Sequence, residues 1–523
     1  MVEAGVSDLR RILELAVKRG GESVAIEHRA GFTTYAELAS DSSAIALGLL
    51  ENGLKAGDRV LILLGNTLEH VLLTGGLAWG GFVSVPLNVR ASQNDIVHVI
   101  ADAKISALVF DDPTFPVQLH VAGVDTRSLL LIYAGEEVTS DYLNLGDVMN
   151  SGKSSHLVSA VPSETDLACI LYTSGTTGKP KGLANTHAHV TARILAWILH
   201  FGPTASWPVR MLGASPLFHI TGLHCGLWVT WSQSGTYVIP AERTSQEYIR
   251  TIKEKKISYL LGAPTLFERW SEQANEYGIV LPDVRLAVMG SAPRPSHLVG
   301  QLLETFPNAL LAEAYGNTEG VMLGSSDLVS NPGAFRSAGD LEARVVKPGG
   351  SADEICPPGI EGELIVNISS ARIVDHYLNN ADATGGKYRE GWLRTGDAFH
   401  QDADGSLWIT GRLDDMFISG GENVQPVEVE SVLIQHASLI DVAVVGVPDP
   451  KWGSLCTAFI VPSAQIDIQE IDSFCIHHPD LANFKRPKRY VIVEAIPRNA
   501  LGKIIRHELR NALIANELQG QDI

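Results

Sequence analysis

Short apolar runs alternate with amphipathic segments through the first 330 residues of this 523-residue chain, and this alternation restricts the fold most. Short apolar runs bounded by turn residues are typical of strands that are covered on both faces. Strands that alternate with helices predict mostly parallel, doubly wound sheets, because a parallel connection needs a crossover segment. The runs are RVLILLG, ALVF, SLLLIYA, DLACILY, VRMLGASPL, ISYLLGA, VRLAVMG and ALLAEAYG.

The pattern changes at about Ser337. Short strands bounded by Gly, Pro and Asp follow, among them EGELIVN and GSLWITGR, and they predict a small antiparallel unit. After GRLDD, at 411–415, helices and strands alternate over roughly a hundred residues, which is typical of a small α+β domain. The predicted fold class is therefore α/β, with a large N-terminal domain over residues 1–413 and a small C-terminal domain over residues 414–523.

The charge balance excludes several classes of partner. The sequence has 40 Lys and Arg against 59 Asp and Glu, a formal net charge of −19. So acidic a surface repels phosphate backbones and anionic lipids, and we expect no nucleic-acid partner. The most apolar region, residues 60–87, is interrupted by Asn66, Glu69 and His70, so we expect no stable membrane insertion.

The cysteines indicate a reducing compartment. There are five, scattered along the chain and without CxxC spacing. They predict packing thiols, with neither a metal site nor a disulfide framework. We therefore expect a cytoplasmic protein. Because the chain has a net charge of −19, an anionic substrate would need a local cluster of positively charged residues.

The segment YTSGTTGKPKG, residues 172–182, concentrates backbone donors, hydroxyls and positive charge directly after a predicted buried strand. Glycines let the backbone approach a ligand and turn its N–H groups inward, where hydroxyls and lysines also face phosphate oxygens. We predict a phosphate loop formed by Thr173, Ser174, Gly175, Thr176, Thr177, Gly178 and Lys181. A P-loop kinase is excluded, because Pro180 stands where GxxxxGK[ST] needs its second glycine.

Four ordered motifs make this sequence resemble the adenylate-forming superfamily of acyl- and aryl-CoA synthetases, peptide-synthetase adenylation domains and beetle luciferases. They are YTSGTTGKPKG from Tyr172, YGNTEG from Tyr315, WLRTGDAFHQDADGSLWITGRLDDMFISGGENVQPVEVE from Trp392 and PRNALGKI from Pro497. The resemblance covers essentially the whole chain. The C-terminal third, with ISGGEN, KWG and FKRPKRY, is most similar to the 4-chlorobenzoate–CoA ligase branch.

The resemblance implies a ligase that works in two steps. A carboxylate attacks the α-phosphorus of ATP to give an acyl-adenylate and pyrophosphate, and the thiol of coenzyme A then displaces AMP. The first step joins an anion to a polyanion, so it needs Mg²⁺ and fixed positive charge. Lys503 is expected to bridge the carboxylate and the α-phosphate without acting as a base, and Lys181 to hold the departing phosphates.

The nucleotide contacts follow from the same resemblance. Thr318 is expected to donate its hydroxyl to the α-phosphate, and Glu319 to bind Mg²⁺. Tyr315 is expected to stack on adenine, while Asp397 accepts from the ribose hydroxyls with Arg412 near the same sugar.

The second step is expected to use another face of a mobile C-terminal domain. Asp414 matches the hinge of the family, and rotation would withdraw the catalytic lysine and bring Gly420 and Gly421 to the pantetheine arm. The basic run FKRPKRY stands out in so acidic a chain, although a solvated charge run is the alternative. The residues expected to contact coenzyme A are Phe484, Arg486, Lys488, Trp452 and Arg90.

The acid pocket implied by the resemblance is apolar. His219 is expected to line the carboxylate site, the alternative being a satisfied core histidine. Because no Lys or Arg stands at the aligned positions, a second carboxylate would be left unpaired. The wall fits benzoate- or cinnamate-type acids best, with medium-chain fatty acids second. The expected lining residues are Trp197, Ile220, Thr221, Leu261, Ala292, Ala314, Gly316, Val321 and Met322.

We therefore predict an AMP-forming carboxylate–CoA ligase for an aromatic acid, with ATP, Mg²⁺ and coenzyme A. A medium-chain fatty acyl-CoA synthetase is the first alternative. An adenylation enzyme that loads a carrier protein is less favoured, because no GG[HD]S-type serine follows. The basic cluster argues against a luciferase-type oxygenase, and the presence of Lys503 and Glu319 argues against a non-catalytic nucleotide-binding regulator. Monomer and homodimer both stay open.

Overall fold

The computed structural model describes residues 7–135, 142–173, 179–202, 207–292, 294–295, 297–330, 333–419, 422–478, 480–499, 502–515 and 517–522. The strands of these ranges are β1 (Val24–His28), β2 (Gly31–Thr34), β3 (Arg59–Leu63), β4 (Val83–Pro86), β5 (Ala107–Phe110), β6 (Leu130–Tyr133), β7 (Leu143–Asn144), β8 (Leu167–Thr173), β9 (Lys181–Thr186), β10 (Arg210–Leu212), β11 (Thr236–Val238), β12 (Tyr259–Gly262), β13 (Leu286–Gly290), β14 (Leu310–Gly316), β15 (Met322–Ser325), β16 (Ala343–Val346), β17 (Gly362–Asn367), β18 (Tyr388–Arg389), β19 (Trp392–Gln401), β20 (Leu407–Arg412), β21 (Phe417–Ser419), β22 (Glu422–Val424), β23 (Leu439–Asp449), β24 (Gly453–Pro462), β25 (Arg489–Ile492) and β26 (Gln521–Asp522).

The α-helices of the same ranges are α1 (Leu9–Gly20), α2 (Tyr35–Glu51), α3 (Leu68–Gly80), α4 (Gln93–Asp102), α5 (Phe115–Val121), α6 (Leu145–Lys153), α7 (His187–Phe201), α8 (Val229–Ser232), α9 (Ser245–Glu254), α10 (Pro264–Glu276), α11 (Leu298–Thr305), α12 (Ala381–Lys387), α13 (Pro426–Leu433), α14 (Ile468–His477) and α15 (Arg506–Ile514). A 3₁₀ turn lies at Thr126–Ser128, and a π-helix, Thr221–Trp228, leads directly into α8.

Two mostly parallel sheets form the large part of the fold. Their strand orders among the described residues are β7-β6-β5-β3-β4-β8-β9 and β15-β14-β13-β12-β10-β11-β1-β2. The antiparallel pairs β8–β9, β14–β15 and β1–β2 lie at sheet edges. Strands β4, β5, β12 and β13 are buried along their whole length, which explains why their sequences are continuous apolar runs. The predicted fold class is confirmed.

Two smaller sheets follow. Strands β16, β17, β19, β18 and β20 form the predicted antiparallel unit. Beyond it, β22-β21-β24-β25-β26, with β23 paired to β24, form a sheet that packs with α13, α14 and α15. The predicted boundary between residues 413 and 414 falls between these two sheets.

Helix α7 follows the β8–β9 hairpin and begins at a capping box. The side chain of Thr186 accepts from the N–H of His189, whose Nδ1 accepts from the N–H of Thr186. These bonds satisfy donors that a helix end leaves without partners. The cap fixes the start of the helix that carries Arg193 and Trp197 into the interior.

The structure also bears on membranes and thiols. Within the described ranges, every helix is too short or too polar to cross a membrane. The cysteines at 169, 225, 356, 456 and 475 are free thiols in buried positions. They pack in the interior, as the sequence predicts.

Candidate active site

The β8–β9 hairpin positions the two ends of the predicted phosphate loop. Thr173 and Lys181 pair across the ladder, and the Thr173 hydroxyl lies 3.4 Å from the Lys181 carbonyl. The hairpin is tied to α4, because the hydroxyl of Tyr172 donates to Asp102 at 2.7 Å. The predicted loop residues Ser174, Gly175, Thr176, Thr177 and Gly178 lie outside the described residues.

Glu319 is buried between β14 and β15 and is held at both ends. Its carbonyl accepts from the N–H of Val374 at 2.9 Å and from Arg193 Nη2 at 3.2 Å. Its Oε1 accepts from the hydroxyl of Tyr377, whose ring lies 5.6 Å from the ammonium of Lys181. The structure thus brings the metal and phosphate candidates together. A hard cation prefers carboxylate oxygens supplemented by phosphate and water oxygens, so this carboxylate suits Mg²⁺.

A second cluster joins Tyr315, Asp397 and Arg412. The hydroxyl of Tyr315 donates to Asp397 Oδ2 at 2.5 Å, and Arg412 Nη1 lies 3.0 Å from Oδ1. Burial raises the pKa of Asp397, while the positive charge of Arg412 and the Tyr315 hydroxyl oppose this shift. Each carboxylate oxygen can accept more than one hydrogen bond, so a ribose diol could still join the cluster. The half-buried Thr318 lies two residues beyond the strand that carries Tyr315.

Lys503 lies at the edge of this second cluster. Its N–H donates to Asn499 Oδ1 at 3.0 Å. Its side chain is exposed to solvent, yet desolvation by surrounding protein lowers the pKa of Lys503, and the positive charge of Arg412 adds to this shift. Gly502 faces Thr265 on α10, because a Cβ at Gly502 would lie 3.5 Å from Thr265 Oγ1. The small C-terminal unit therefore presents its lysine to the large one.

Asn66 fixes the loop that leads to His219. Its amide donates to the carbonyls of Gly213 at 3.1 Å and Ser215 at 2.7 Å, and its Oδ1 accepts from the N–H of Leu217 at 2.9 Å. Asn66 follows β3 of one large sheet, and Gly213 follows β10 of the other. A single buried amide therefore joins the two sheets beside the predicted acid pocket.

The imidazole of His219 is neutral. Burial lowers the pKa of His219 to about 4, and its Nδ1 lies 3.1 Å from the Thr221 hydroxyl. The π-helix that starts at Thr221 packs against the preceding loop, where a Cβ at Gly222 would meet the Pro216 carbonyl at 2.1 Å. Only glycine allows this approach, and π-helical turns recur at functional sites.

Most of the predicted pocket wall packs in one region. Trp197 donates to the hydroxyl of Tyr259 at 2.8 Å, which donates in turn to the Cys225 carbonyl at 3.0 Å. The structure puts Trp197, Leu261 and Met322 in one core cluster, with Ile220 and Ala314 packed against it. Ala292 lies two residues beyond β13, and Gly316 is the last residue of the adjacent strand β14. The side chain of Val321 belongs to a different core cluster, which includes Phe335.

The candidate coenzyme A residues are only partly grouped. The ring of Trp452 lies 5.0 Å from the ammonium of Lys451 and 6.0 Å from that of Lys488. Phe484 is 46% exposed, and the ammonium of Lys485 lies 5.6 Å from its ring. These aromatic and cationic groups could bind a nucleotide.

Arg486 differs from the expectation. Its guanidinium forms a mostly buried ion pair with Asp472 of α14, so its charge is already matched within the small unit. Arg90 is exposed beyond β4, and no hydrogen bond or ion pair within the described ranges joins it to Trp452. Gly420 and Gly421 lie outside the described residues.

Asp414, the predicted hinge residue, and its neighbour Asp415 form ion pairs with arginines of different units. Asp414 lies 3.7 Å from Arg412 of β20, in the large unit. Asp415 lies 3.6 Å from Arg506 of α15, which also binds Glu430 at 2.9 Å in the small unit. The two neighbouring carboxylates at the predicted hinge thus contact arginines of different units.

Three residues that the sequence did not assign to the site hold these groups in place: Asn66, Arg193 and Tyr377. Arg193 is fully buried, and its guanidinium binds Asn185 and the carbonyls of Glu319 and Arg372. A lone arginine within the apolar helix HAHVTARILAWILHF was a signal for such a role. Asn66 and Tyr377 carry no comparable signal, because only the fold shows what they contact.

Known proteins share this architecture. The model of the AMP-binding enzyme family matches residues 13–377, and that of the AMP-binding enzyme C-terminal domain matches residues 428–503. The 4-chlorobenzoate–CoA ligase of Arthrobacter sp is 30% identical over 490 residues, which cover 92% of this chain and 90% of the relative. The long-chain-fatty-acid–CoA ligase FadD13 of Mycobacterium tuberculosis is 30% identical over 491 residues, which cover 91% of this chain and 92% of the relative. The anthranilate CoA ligase AuaEII in complex with anthranoyl-AMP superposes with a TM-score of 0.89 at 25% identity, covering 98% of this chain and 99% of the other.

Proposed function

This chain belongs to the AMP-binding enzyme family, and we propose that within it the enzyme activates a benzoate- or cinnamate-type acid. It is an AMP-forming acyl-CoA ligase that uses ATP, Mg²⁺ and coenzyme A. The choice of acid is the finer part of the proposal.

The proposal of an aromatic acid rests on one observation, the apolar cluster around Trp197 and Leu261 next to the neutral His219. A buried second carboxylate would find no cation among the proposed lining residues and would bear an uncompensated desolvation cost. A flat ring can pack on the indole, and the hydroxyl of Thr221 can reach a ring substituent. A medium-chain acyl group also suits an apolar wall, and the match to a fatty acid ligase keeps it as the second candidate.

In the first step we propose that Lys503 lies between the acid and the α-phosphate. The carboxylate oxygen forms a bond to phosphorus as the bond to the β-phosphate oxygen breaks, and pyrophosphate leaves with that electron pair. Protonated Lys503 stabilises the negative charge that develops, without a proton transfer. Glu319 would hold Mg²⁺, which supplies charge neutralisation on the phosphates. Lys181 and Thr173 would face the departing phosphates.

Asp397 and Arg412 would fix the nucleotide through the ribose, with Tyr315 against the adenine and Thr318 at the α-phosphate. This positioning matters because the reacting atoms must be held in line. The arrangement of Lys503 beside Arg412 and Asp397 supports the view that the structure represents the adenylate-forming state.

In the second step we propose that residues 414–523 rotate as a unit about a hinge at Asp414. The thiol of coenzyme A then attacks the acyl carbonyl, and AMP leaves. Trp452, Lys488 and Phe484 would bind the nucleotide part of coenzyme A, while Gly420 and Gly421 leave room for the pantetheine arm.

A panel of benzoates, cinnamates and C4 to C12 fatty acids tests the acid, with pyrophosphate release and acyl-CoA formation followed separately. We expect CoA-dependent turnover to be fastest with an aryl acid. A fatty acid that exceeds every ring would overturn the pocket assignment. Pyrophosphate release without consumption of coenzyme A would overturn the proposed acceptor.

A further inference from the structure

A short segment connects the two motifs of the proposed phosphate site. The N–H of Val374 donates to the carbonyl of Glu319 at 2.9 Å, and the N–H of Leu378 donates to the carbonyl of Gly182 at 2.8 Å. Glu319 lies in the turn between β14 and β15 of one large sheet, and Gly182 lies in β9 of the other. The segment therefore sets the distance between the phosphate hairpin and the glutamate turn.

Tyr377 lies between these two anchors. It is 5% exposed, and its hydroxyl donates to Oε1 of Glu319. The ammonium of Lys181 lies 5.6 Å from the centre of its ring. A phenol hydroxyl can donate to a carboxylate, which only accepts, so the direction of this hydrogen bond is fixed. One side chain thus contacts both the proposed metal ligand and the phosphate-loop lysine.

We propose that Tyr377 is a positioning residue for the first half-reaction. Its hydroxyl fixes the plane of the Glu319 carboxylate and leaves Oε2 for Mg²⁺, while its ring places Lys181 beside the phosphates. This inference rests on the proposed role of Glu319 as the metal ligand.

Tyr388 provides a matched control. It is the ring neighbour of Tyr377, with centroids 6.0 Å apart, and its hydroxyl also makes one hydrogen bond in the same interior. That bond goes to the main-chain carbonyl of Val374 at 2.7 Å and not to a carboxylate. Tyr388→Phe therefore removes the same group from the same environment without removing a hydrogen bond of Glu319 itself.

The test measures ATP binding by calorimetry, once with Mg²⁺ and once with EDTA. For Tyr377→Phe we expect about tenfold weaker binding of ATP with Mg²⁺, the order expected for a lost hydrogen bond to a charged group. Binding in EDTA should stay within about twofold of wild type, because the ring under Lys181 is retained. Tyr388→Phe should resemble wild type in both conditions.

The ring has its own test. Tyr377→Leu removes the aromatic surface as well as the hydroxyl, so it should also weaken binding in EDTA, through Lys181. Equal behaviour of the Phe and Leu variants would overturn the role of the ring.

Glu319→Gln separates failure of this inference from failure of the proposed function. Adding Tyr377→Phe to Glu319→Gln should cause no further loss, because the hydroxyl acts through that carboxylate. If Glu319→Gln leaves the effect of Mg²⁺ intact, the metal assignment fails, and the inference fails with it. If Glu319→Gln abolishes the effect but Tyr377→Phe does not, only the role of Tyr377 is wrong. Equal losses in Mg²⁺ and EDTA, with a lower Tm, would indicate a purely structural tyrosine.

Discussion

The guanidinium of Arg412 lies 3.0 Å from the carboxylate of Asp397, across the β19–β20 ladder. The same guanidinium lies 3.7 Å from Asp414 at the proposed hinge. One arginine therefore connects the proposed ribose site to the start of the C-terminal unit. Through this one side chain, nucleotide binding can be coupled directly to the position of the C-terminal unit.

Asp397→Asn should weaken ATP binding by roughly 10- to 100-fold, since hydrogen bonds to a charged group contribute about 1.5–3 kcal/mol. Calorimetry with ATP and Mg²⁺ measures this loss. Glu363→Gln is the control, because it breaks the ion pair with Arg394 in the same sheet. It should lower Tm while the Kd for ATP stays unchanged. A similar loss of ATP affinity in both variants would mean that Asp397 acts only through the stability of the sheet.

Lys503→Ala should slow pyrophosphate exchange by about 10²- to 10³-fold, the effect of removing one group that stabilises transition-state charge. Tm should change little, since the side chain is exposed. The pKa of Lys503 is lowered, so wild-type exchange should decline with rising pH earlier than an ordinary lysine would dictate. Lys503→Arg keeps its charge at these pH values and should lose that alkaline decline. A decline shared by both proteins would assign it to another group.

The sequence predicted the parts of this molecule that depend on local pattern. Runs such as ALVF and ISYLLGA form buried strands. A strand that is buried on both faces needs an apolar residue at nearly every position, so the sequence shows it directly. Contacts between residues that are distant in the sequence produce no local pattern of this kind. Arg486 was expected to contact coenzyme A, but its guanidinium pairs with Asp472 of a separate helix. The hydroxyl of Tyr377 meets Glu319 only because β14 and the segment before α12 are brought together in the fold.

Lys488→Ala and Arg486→Ala should have different consequences. Lys488 is half-buried near Trp452, and its loss should raise the KM for coenzyme A severalfold while pyrophosphate exchange is retained. Arg486→Ala leaves Asp472 buried without its partner, which typically costs about 3–5 kcal/mol of stability. Urea unfolding and CoA titrations separate the two effects. A stable Arg486→Ala protein with a raised KM for coenzyme A would restore the original prediction for Arg486.

Acid should destabilise the fold through buried neutral histidines. Burial lowers the pKa of His70 from its ordinary value of 6.5 to about 4. Between these values the unfolded chain binds more protons than the folded one. The contribution of His70 is therefore fully present above pH 6.5 and is lost as pH falls toward 4. The slope from one such residue reaches about 1.4 kcal/mol per pH unit. The same direction holds for His219 and His200.

Urea unfolding at pH values from 7.5 to 5 measures this slope. His70→Asn is the test variant, because an amide donor can replace Nδ1–H, which contacts the carbonyls of Leu64 and Gly65. It should flatten the dependence of the unfolding free energy on pH. A slope identical to wild type would exclude His70 as a contributor.

A reversible cross-link between Gly502 and Thr265 should separate the two half-reactions. A Cβ at Gly502 would lie 3.5 Å from Thr265 Oγ1, so the two side chains are close enough for a disulfide to be tested. The native cysteines are buried and should not compete. The positive φ of Gly502, 81°, makes Gly502→Cys strained by about 1 kcal/mol, so the single variants are needed as references.

In the oxidised double variant, Lys503 cannot leave the large unit. We expect pyrophosphate exchange to continue, because the adenylate-forming arrangement is retained, and acyl-CoA formation to stop. Dithiothreitol should restore it, so each sample serves as its own control. The Thr265→Cys single variant should respond to neither treatment. If the oxidised double variant still forms acyl-CoA at the reduced rate, the second step needs no separation of Lys503 from α10, and the proposed rotation at Asp414 is wrong.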